Sequence, residues 1–436
     1  MQRLTRRSLA AGLTAAAMLQ GVRHALAQTP GPATRNLPKT YAGTTLKLLW
    51  GPEPVNVAIA QFSREFTEQT GIQLDYTQVN YGDRYQKMVL DVASKTNAFD
   101  VYLNAYQWKE ELAPYVIDHA NIEHEIPGSP PLEPEDFPKR ALDIYTRAGG
   151  KMMAIPIAGS ATFLVWNRKA YQEAGLDPDH PPADWQGVYD NGLKLRGGKQ
   201  FGLNMPAGKS IQTACVWITL LHGYGGGFTD AKGQPTFDSA AALRATRMMS
   251  EQLMQVSPPG NLTWDFPEMV NSFAVGQAAQ GFMWPGGFST LLDPAKSVNA
   301  TSLGWAPTPE AVMLGGWAVS VNANARGRDA AKLYVAWLTS REISRRLALI
   351  TAQPCRISAF EAPEVVAKFP HLPAVLQGMS GKVAAYMPIR DSEQVNIIIY
   401  DEVNAACART KTPEDAVASM QDKVTVFMKR RGYLRG

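Results

Sequence analysis

Three short apolar segments near the start of the chain alternate with amphipathic helical segments. The apolar segments are Thr45–Trp50, Ile72–Tyr76 and Phe99–Leu103, and each has the length and composition of a buried β-strand. Val55–Gln69 carries apolar residues at helical spacing, and a second helical stripe begins at Tyr85. Strands and helices that alternate with short connections predict a doubly wound parallel sheet of the α/β class.

The loop after each predicted strand carries aromatic and polar side chains. In open α/β sheets the ligand crevice lies beyond the carboxyl ends of the strands, so these loops would meet at one edge. We therefore interpret them as candidate ligand-binding loops. Their candidate residues are Trp50 and Glu53 in the first loop, Tyr81 and Asp83 in the second, and Asn104 and Gln107 in the third.

The length of the chain favours more than one compact unit. A sequence of 436 residues is too long for a single hydrophobic core, so two lobes are expected. Apolar residues make up 45% of the chain and charged residues 19%, which is typical of an ordered globular protein. No segment after the N-terminal region is apolar enough to predict a membrane span.

The first 27 residues have the features of an export signal. A basic start precedes Leu9–Leu19, an apolar run too short to span a bilayer, and Ala25–Ala27 matches a signal-peptidase site. The paired arginines in Thr5–Leu9 fit a twin-arginine signal, with general secretion as the alternative. Gln28 follows the cleavage site where a lipid anchor would need Cys. We expect a periplasmic protein without a lipid anchor, with residues 28–43 as a flexible lead-in.

The charge balance argues against a nucleic-acid partner. Removal of residues 1–27 takes away four arginines and no acidic residue, so Lys+Arg falls from 43 to 39 and equals Asp+Glu. A neutral chain without a basic tract lacks the charge that phosphate backbones require. Cys215, Cys355 and Cys407 leave room for one disulfide, but buried free thiols are favoured.

The sequence contains no recognisable catalytic or cofactor motif. Gly202–Ser210 resembles a phosphate-binding loop, but five residues rather than four separate its first Gly from Gly-Lys. His119 and His124 lack further ligands with metal-binding spacing. We therefore predict no enzyme activity, no cofactor and no metal. A glycosidase remains a minor alternative, with Glu53 and Asp83 as its paired carboxylates.

Aromatic rings and amides at loop tips favour a small-molecule binding site. Sugars suit such a site because their C–H faces stack on rings and their hydroxyls need paired donors and acceptors. The segment Phe273–Gly287 adds a further candidate, because an apolar run ends there in Trp284 at a Pro-Gly-Gly corner. Trp284 is predicted either to lie in the core or to face a cleft.

A series of motifs along the chain resembles the extracellular solute-binding proteins of family 1, the sugar-binding components of ABC importers. Single matches are weak, but their order along nearly the whole mature sequence is specific. The matching segments are Phe99–Val101, Lys151–Pro156, Trp166–Arg168, Ala174–Leu176 with Pro182–Trp185, Phe273–Ala279, Leu314–Trp317, Trp337–Ser340 and Pro354–Arg356.

The resemblance implies two α/β lobes joined by three crossovers, with a ligand cleft between the lobes. The expected crossovers lie near residues 157–160, 281–284 and 314–317. Lobe 1 is then predicted to comprise residues 44–157 and 286–315, and lobe 2 residues 158–285 and 316–436. Ser160, Trp217, Trp284, Gly316, Trp317 and Arg356 would join the six strand-end residues as ligand-binding residues.

The same resemblance implies a function in transport. A monomer would close around a small neutral sugar, disaccharide or polyol and deliver it to ABC permease subunits in the inner membrane. The polar residues after the third strand differ from the charged cluster at that place in the family's maltose-binding member, so maltodextrin is not expected. A cationic or amine solute, held by the aromatic rings with Asp83 and Glu53, is the alternative.

Overall fold

The structure is a computed structural model that describes Thr34 and residues 36–434. The predicted export signal lies outside the described residues. None of the helices in the described part is long and apolar enough to cross a membrane.

Strands and helices alternate through most of the described chain. The strands are β1 Thr45–Trp50, β2 Gln73–Gln78, β3 Val101–Ala105, β4 Arg147–Ala148, β5 Lys151–Met152, β6 Ile155–Ala161, β7 Phe163–Asn167, β8 Gln280–Met283, β9 Leu303–Pro307, β10 Val312–Val321 and β11 Val383–Ala384. The α-helices are α1 Pro54–Phe62, α2 Arg64–Thr70, α3 Tyr81–Ser94, α4 Lys109–Leu112, α5 Ile122–Glu125, α6 Lys139–Thr146, α7 Arg168–Glu173, α8 Trp185–Leu195, α9 Ile211–Gly223, α10 Ala240–Arg247, α11 Phe266–Ala274, α12 Phe288–Leu291, α13 Arg328–Thr339, α14 Arg341–Thr351, α15 Ile357–Phe360, α16 Pro363–Lys368, α17 Leu372–Ser380, α18 Ser392–Cys407 and α19 Pro413–Arg430.

The chain forms two compact units and passes between them three times. Among the described residues, unit 1 contains those up to 159 and residues 316–373, and unit 2 contains residues 160–315 and those from 374 onward. The passages fall inside β6, inside β10 and near the start of α17. Two α/β units that exchange the chain three times match the expected fold class.

Unit 1 is built on the predicted parallel sheet. Its strand order is β2-β1-β3-β10, in which β1 pairs in parallel with both β2 and β3. The second half of β10 runs antiparallel to β3, with Trp317 opposite Ala105 and Val321 opposite Val101. Alternate side chains feed two apolar cores: Leu46, Leu48 and Trp50 belong to one, and Leu49 belongs to the other.

Unit 2 is centred on a smaller antiparallel sheet. Its strand order is β8-β7-β9, and residues 201–204 extend the sheet through isolated parallel bridges beside β8. The first half of β10 pairs with β11. Helices α9, α18 and α19 pack together in this unit and bury the apolar faces of α9 and α18.

The unit boundaries correct three of the predicted assignments. Residues 286–315 fall in unit 2 rather than lobe 1, because β9 pairs along its whole length with β7. Residues 316–373 fall in unit 1, because the second half of β10 pairs with β3 and the side chains of α13 and α14 fill the core beneath β1. Gly281–Trp284, expected as a crossover, lies inside unit 2, where β8 pairs with β7.

The three cysteines are free thiols buried in the units, as the sequence favoured. Cys215 and Cys407 lie in unit 2 and Cys355 lies in unit 1. Burial raises the pKa of the Cys355 thiol to about 11 and those of Cys215 and Cys407 to about 12. These thiols therefore stay protonated and unreactive near neutral pH.

Candidate functional site

The carboxyl ends of three parallel strands meet at one edge of the unit 1 sheet. β1 ends at Trp50, β2 at Gln78 and β3 at Ala105. Trp317 pairs opposite Ala105, so β10 enters unit 1 at this same edge. The sheet topology therefore brings the loops after all three strands together with Trp317, and this edge is the expected position of a ligand site in an open α/β sheet.

A buried arginine occupies the centre of this edge. Arg84 lies in the first turn of α3 and is fully buried. Its two terminal nitrogens donate to the two carboxylate oxygens of Glu53, at 3.0 and 3.1 Å. The Glu53 side chain keeps 28% of its surface exposed, whereas that of Arg84 keeps none. The pair is a bidentate salt bridge in which the guanidinium is buried and part of the carboxylate side chain is exposed to solvent.

Aromatic rings enclose the guanidinium of Arg84. Its central carbon lies 4.5 Å from the ring centroid of Trp317 and 5.7 Å from that of Trp108. The Tyr81 ring lies 4.8 Å from the Trp108 ring and 6.2 Å from the Trp317 ring. The Gln107 amide donates to the Tyr81 hydroxyl. We call Glu53, Tyr81, Arg84, Gln107, Trp108 and Trp317 the strand-end cluster.

Two neighbouring residues fix the ion pair in place. The Asn56 amide donates to a Glu53 carboxylate oxygen at 2.8 Å. Gly51 lies directly against the pair, since a Cβ atom at this position would overlap both the Glu53 carboxylate and the Arg84 guanidinium. The glycine therefore provides the space in which the bridge forms.

Several buried donors at this edge lack a protein partner. Among the described residues, no acceptor contacts Arg84 Nε, Trp108 Nε1 or Asn104 Nδ2. Buried donors in native proteins are nearly always paired with protein atoms or with water. All three donor atoms are buried, so they are not part of the surface that a ligand could contact.

Four of the residues predicted to bind ligand in unit 1 are not members of the strand-end cluster. Trp50 is fully buried, and its indole N–H donates to the Asn56 carbonyl oxygen at 2.8 Å. Asn104 is fully buried and accepts from the Ser320 hydroxyl at 2.9 Å. Asp83 is exposed on the surface of α3. Gly316 has a φ of +136°, and a Cβ atom there would overlap the Ala158 carbonyl oxygen, so its role is one of backbone shape.

Arg356 is placed in the interior of unit 1 rather than facing a ligand. Its guanidinium is fully buried and donates to the carbonyl oxygens of Leu132 and Thr339 at 2.7 and 2.8 Å. The guanidinium carbon also lies 4.2 Å from the Phe137 ring centroid. These contacts occupy its donors and connect a surface loop to α13. This placement differs from the predicted ligand-facing one.

In unit 2 the predicted tryptophans occupy different environments. Trp217 is fully buried in α9, stacks on Phe237 at 6.0 Å and donates to Thr246 Oγ1, so it is a core residue rather than a ligand-facing one. Trp284 is half-buried and donates to Gln212 Oε1 at 2.7 Å. Its ring lies on Gly315, where a Cβ atom would be 2.6 Å from ring carbon Cζ3. Ser160, the first residue of unit 2, is buried.

Sequence reasoning missed Arg84 and Gln212, and it left Trp108 out of the site. Tyr81 and Asp83 were predicted to lie in the loop after the second strand, but α3 begins at Tyr81 with Asn80 as its N-cap. Because the helix begins at Tyr81, Arg84 is its fourth residue and lies on its buried face. Arg84, Met88 and Val92 form a buried stripe with i, i+4 spacing, and this spacing could have indicated the position of Arg84.

The described residues contain no group of His, Cys, Asp and Glu that could hold a metal ion. Glu53 and Asp83, the carboxylates considered for glycoside hydrolysis, have different environments: Glu53 is bridged to Arg84, and Asp83 is exposed on α3. This arrangement does not form a pair of carboxylates on either side of a bond.

The sequence matches a known protein family and aligns with a known protein along nearly its whole length. Residues 51–344 match the family model described as bacterial extracellular solute-binding protein. The chain is 49% identical over 433 residues to a probable amino-acid ABC transporter periplasmic-binding protein of Sinorhizobium fredii, which covers 99% of this chain and 100% of that protein. It is 25% identical over 351 residues to an erythritol/L-threitol-binding protein of Mycolicibacterium smegmatis, covering 73% of this chain and 72% of the relative.

A solved structure shares the fold. The ABC transporter solute-binding protein of Agrobacterium radiobacter K84 in complex with ribitol superposes with a TM-score of 0.78. The match covers 88% of this chain and 99% of that chain at 23% sequence identity. At this identity the likeness establishes the two-lobed α/β fold.

Proposed function

Because the chain belongs to the bacterial extracellular solute-binding proteins and is the substrate-binding component of an ABC transporter, we propose that its solute is a small neutral polyhydroxylated molecule, a sugar or a polyol. The protein would bind this solute in the periplasm and deliver it to the permease subunits. The observation that carries the proposal is the charge balance of the strand-end cluster.

The two charged side chains of the strand-end cluster neutralise each other. Both Glu53 carboxylate oxygens accept from Arg84, and the guanidinium is fully buried. The side that remains open presents a hydrogen-bond acceptor with little net charge. A ligand hydroxyl can donate to such an oxygen, whereas a full positive charge gains less from an anion that is already paired.

The aromatic members of the cluster supply the apolar surface that a polyol requires. Tyr81 and Trp317 are half-buried, so each ring has surface left for a ligand. The C–H groups of a sugar or polyol pack on such rings, and its hydroxyls pair with carboxylate, amide and phenol groups. In unit 2, half-buried Trp284 with its partner Gln212 is the matching candidate.

Binding is proposed to act through closure of the two units around the solute, as the family resemblance implies. A solute shifts an open–closed equilibrium only by its difference in affinity for the two states. No covalent step is needed, and a monomer suffices. The names of two relatives support the solute class, since one is an erythritol/L-threitol-binding protein and one was solved with ribitol.

An amino acid is the second candidate solute. It is favoured by the relative that is 49% identical over 99% of this chain, which is a probable amino-acid ABC transporter periplasmic-binding protein. An amino acid would place its ammonium group near Glu53 and needs a further cation for its carboxylate. Arg84 could supply that charge only from inside the protein, where it already binds Glu53.

Isothermal titration of the chain from Gln28 onward separates these candidates. The panel contains ribitol, erythritol, mannitol, sorbitol, common hexoses and disaccharides, and the natural amino acids. We expect binding of at least one polyol or sugar, with an affinity that changes little between about 0.05 and about 0.5 M salt. Tight binding of an amino acid without binding of any sugar or polyol would contradict the proposal. Incubation with oligosaccharides is expected to release no product.

A further inference from the structure

The strand-end cluster contains an arginine that cannot reach a ligand directly but controls the charge of a group that can. Arg84 is fully buried, whereas 28% of the Glu53 side chain is open. We propose that Arg84 is the specificity-determining residue of this site. Its buried positive charge neutralises the Glu53 carboxylate, so that the exposed part of this carboxylate selects ligand hydroxyls over ammonium groups. This inference rests on the proposed function and identifies the residue that sets its solute class.

Hydrogen bonds and aromatic rings hold the guanidinium of Arg84 in place. Two N–H···O bonds join it to Glu53, and the rings of Trp317 and Trp108 lie 4.5 and 5.7 Å from its guanidinium carbon. The carboxylate is held from another side by Asn56, at 2.8 Å. The charge pair is thus formed by the protein's own residues, so a ligand hydroxyl would meet a carboxylate that is already paired.

The consequence for selectivity follows from the charge that a ligand meets. A hydroxyl needs only an acceptor oxygen with correct geometry, which paired Glu53 provides. An ammonium group gains most from an unpaired carboxylate, and the neighbouring guanidinium repels it. Removal of the positive charge at Arg84 should therefore convert a site for neutral polyols into one that accepts amines.

A matched set of ligands tests this selectivity. Sorbitol is the neutral probe, and the amine probes are 1-amino-1-deoxysorbitol and 2-amino-2-deoxysorbitol, each of which exchanges one hydroxyl for an ammonium group. Isothermal titration gives the ratio of the amine dissociation constant to the sorbitol dissociation constant. For the wild type we expect this ratio to be at least about ten, which is 1.4 kcal/mol.

Arg84→Met removes the charge and keeps an apolar side chain of similar length. We expect the ratio to fall at least about tenfold for one of the two amine probes. Arg84→Lys keeps the charge but loses the bidentate geometry, so it should weaken sorbitol binding while it leaves the ratio within about threefold of the wild-type value. Glu53→Gln should raise the ratio, because it leaves the positive charge of Arg84 uncompensated.

A second buried bridge in the same unit provides the control. Arg346 binds Glu65 through two N–H···O bonds and lies 4.8 Å from the Phe62 ring centroid, but this pair connects helices in the interior. Arg346→Met removes the same kind of bridge away from the strand ends. It should leave the ratio unchanged, and thermal unfolding monitored by circular dichroism reports how much folded protein each variant retains.

The outcomes distinguish failure of this inference from failure of the proposed function. If the wild type binds neither sorbitol nor any other neutral member of the panel, the proposed function is overturned and this inference with it. If the wild type binds sorbitol but Arg84→Met weakens sorbitol and both amines equally, Arg84 is only structural and the inference is overturned. If Arg84→Met does not fold, an unchanged ratio in Glu53→Gln overturns the inference in the same way.

Discussion

The described part of unit 1 contains two buried arginine–glutamate bridges of the same chemistry in different places. Glu53–Arg84 and Glu65–Arg346 are both bidentate, and each guanidinium lies within 5 Å of an aromatic ring centroid. The Glu65 side chain keeps 10% of its surface exposed, whereas that of Glu53 keeps 28%. The interior bridge fastens α14 to α2, and the bridge at the strand ends leaves an anion partly open. Position in the fold therefore separates a structural bridge from one suited to binding.

The largest expected effect is on the stability of the interior bridge. Arg346→Met leaves Glu65 without its partner, and loss of one member of a buried pair costs about 3–5 kcal/mol of unfolding free energy. Denaturant unfolding measures this loss, and titration of the folded variant with sorbitol should give the wild-type affinity. A fall in the amine-to-sorbitol dissociation ratio as large as the fall expected for Arg84→Met would remove the distinction between the two bridges.

Acid pH is expected to lower the free energy of unfolding through a buried histidine in the same unit. His119 is fully buried; its Nε2 accepts from the Val321 amide at 3.0 Å and its Nδ1–H donates to the Met152 carbonyl oxygen at 3.1 Å. Burial lowers its pKa to about 4, whereas the hydrogen bond to the Met152 carbonyl oxygen and the charge of Asp118 act to raise the pKa. The unfolded chain binds this proton near pH 6.5, so the stability that neutral His119 contributes is complete above that pH and decreases toward pH 4.

The decrease attributable to His119 is roughly 2 kcal/mol between pH 7 and pH 5. Urea unfolding across this range measures it, and His119→Gln should flatten the pH dependence by about that amount. His124→Gln, which changes an exposed side chain, is the control and should keep the wild-type slope. An identical slope in wild type and His119→Gln would contradict the expected role of the buried imidazole.

Two tryptophans of unit 2 give the next comparison. Trp284 is half-buried and bound to Gln212, whereas Trp217 is stacked in the core. We expect Trp284→Ala to weaken sorbitol binding more than tenfold, about 1.4 kcal/mol or more, with the fold retained. Trp217→Phe should leave the affinity unchanged. Equal affinities in wild type and Trp284→Ala would make Trp284 a core residue only.

The smallest expected effect concerns the space beneath the bridge. A Cβ atom at Gly51 would overlap both partners of the Glu53–Arg84 pair, whereas nothing lies within 4 Å of such an atom at Gly82. Gly51→Ala should displace the bridge and weaken sorbitol binding by about tenfold. Gly82→Ala, in the first turn of α3, should have no measurable effect on titration. Similar affinities for the two variants would show that the bridge tolerates displacement.

Much of the fold could be predicted from the sequence because hydrophobic periodicity is a local signal. β1 has the predicted bounds, and the parallel order of β1, β2 and β3 follows from the alternation of strands and helices. That topology alone places Glu53, Tyr81 and Gln107 near one edge. The unit boundaries were harder to predict, because the pairing of β10 with β3 joins residues more than two hundred positions apart.

The site was predicted less completely because residue type does not tell which way a side chain faces. Trp50 was taken as a ligand-facing aromatic, but it continues the buried alternation of Leu46 and Leu48. Arg84 was overlooked because the helix was predicted from Tyr85, whereas α3 begins at Tyr81. A charged residue on the apolar face of a helix is the signal that indicates a buried ion pair.

The most direct test of the account is the amine-to-sorbitol dissociation ratio measured by titration for the wild type and for Arg84→Met. We expect a wild-type ratio of at least about ten and a fall of at least about tenfold in the variant, because the open carboxylate of Glu53 would lose its neutralising partner. A ratio that is the same in both proteins, with sorbitol binding intact in the wild type, would contradict it.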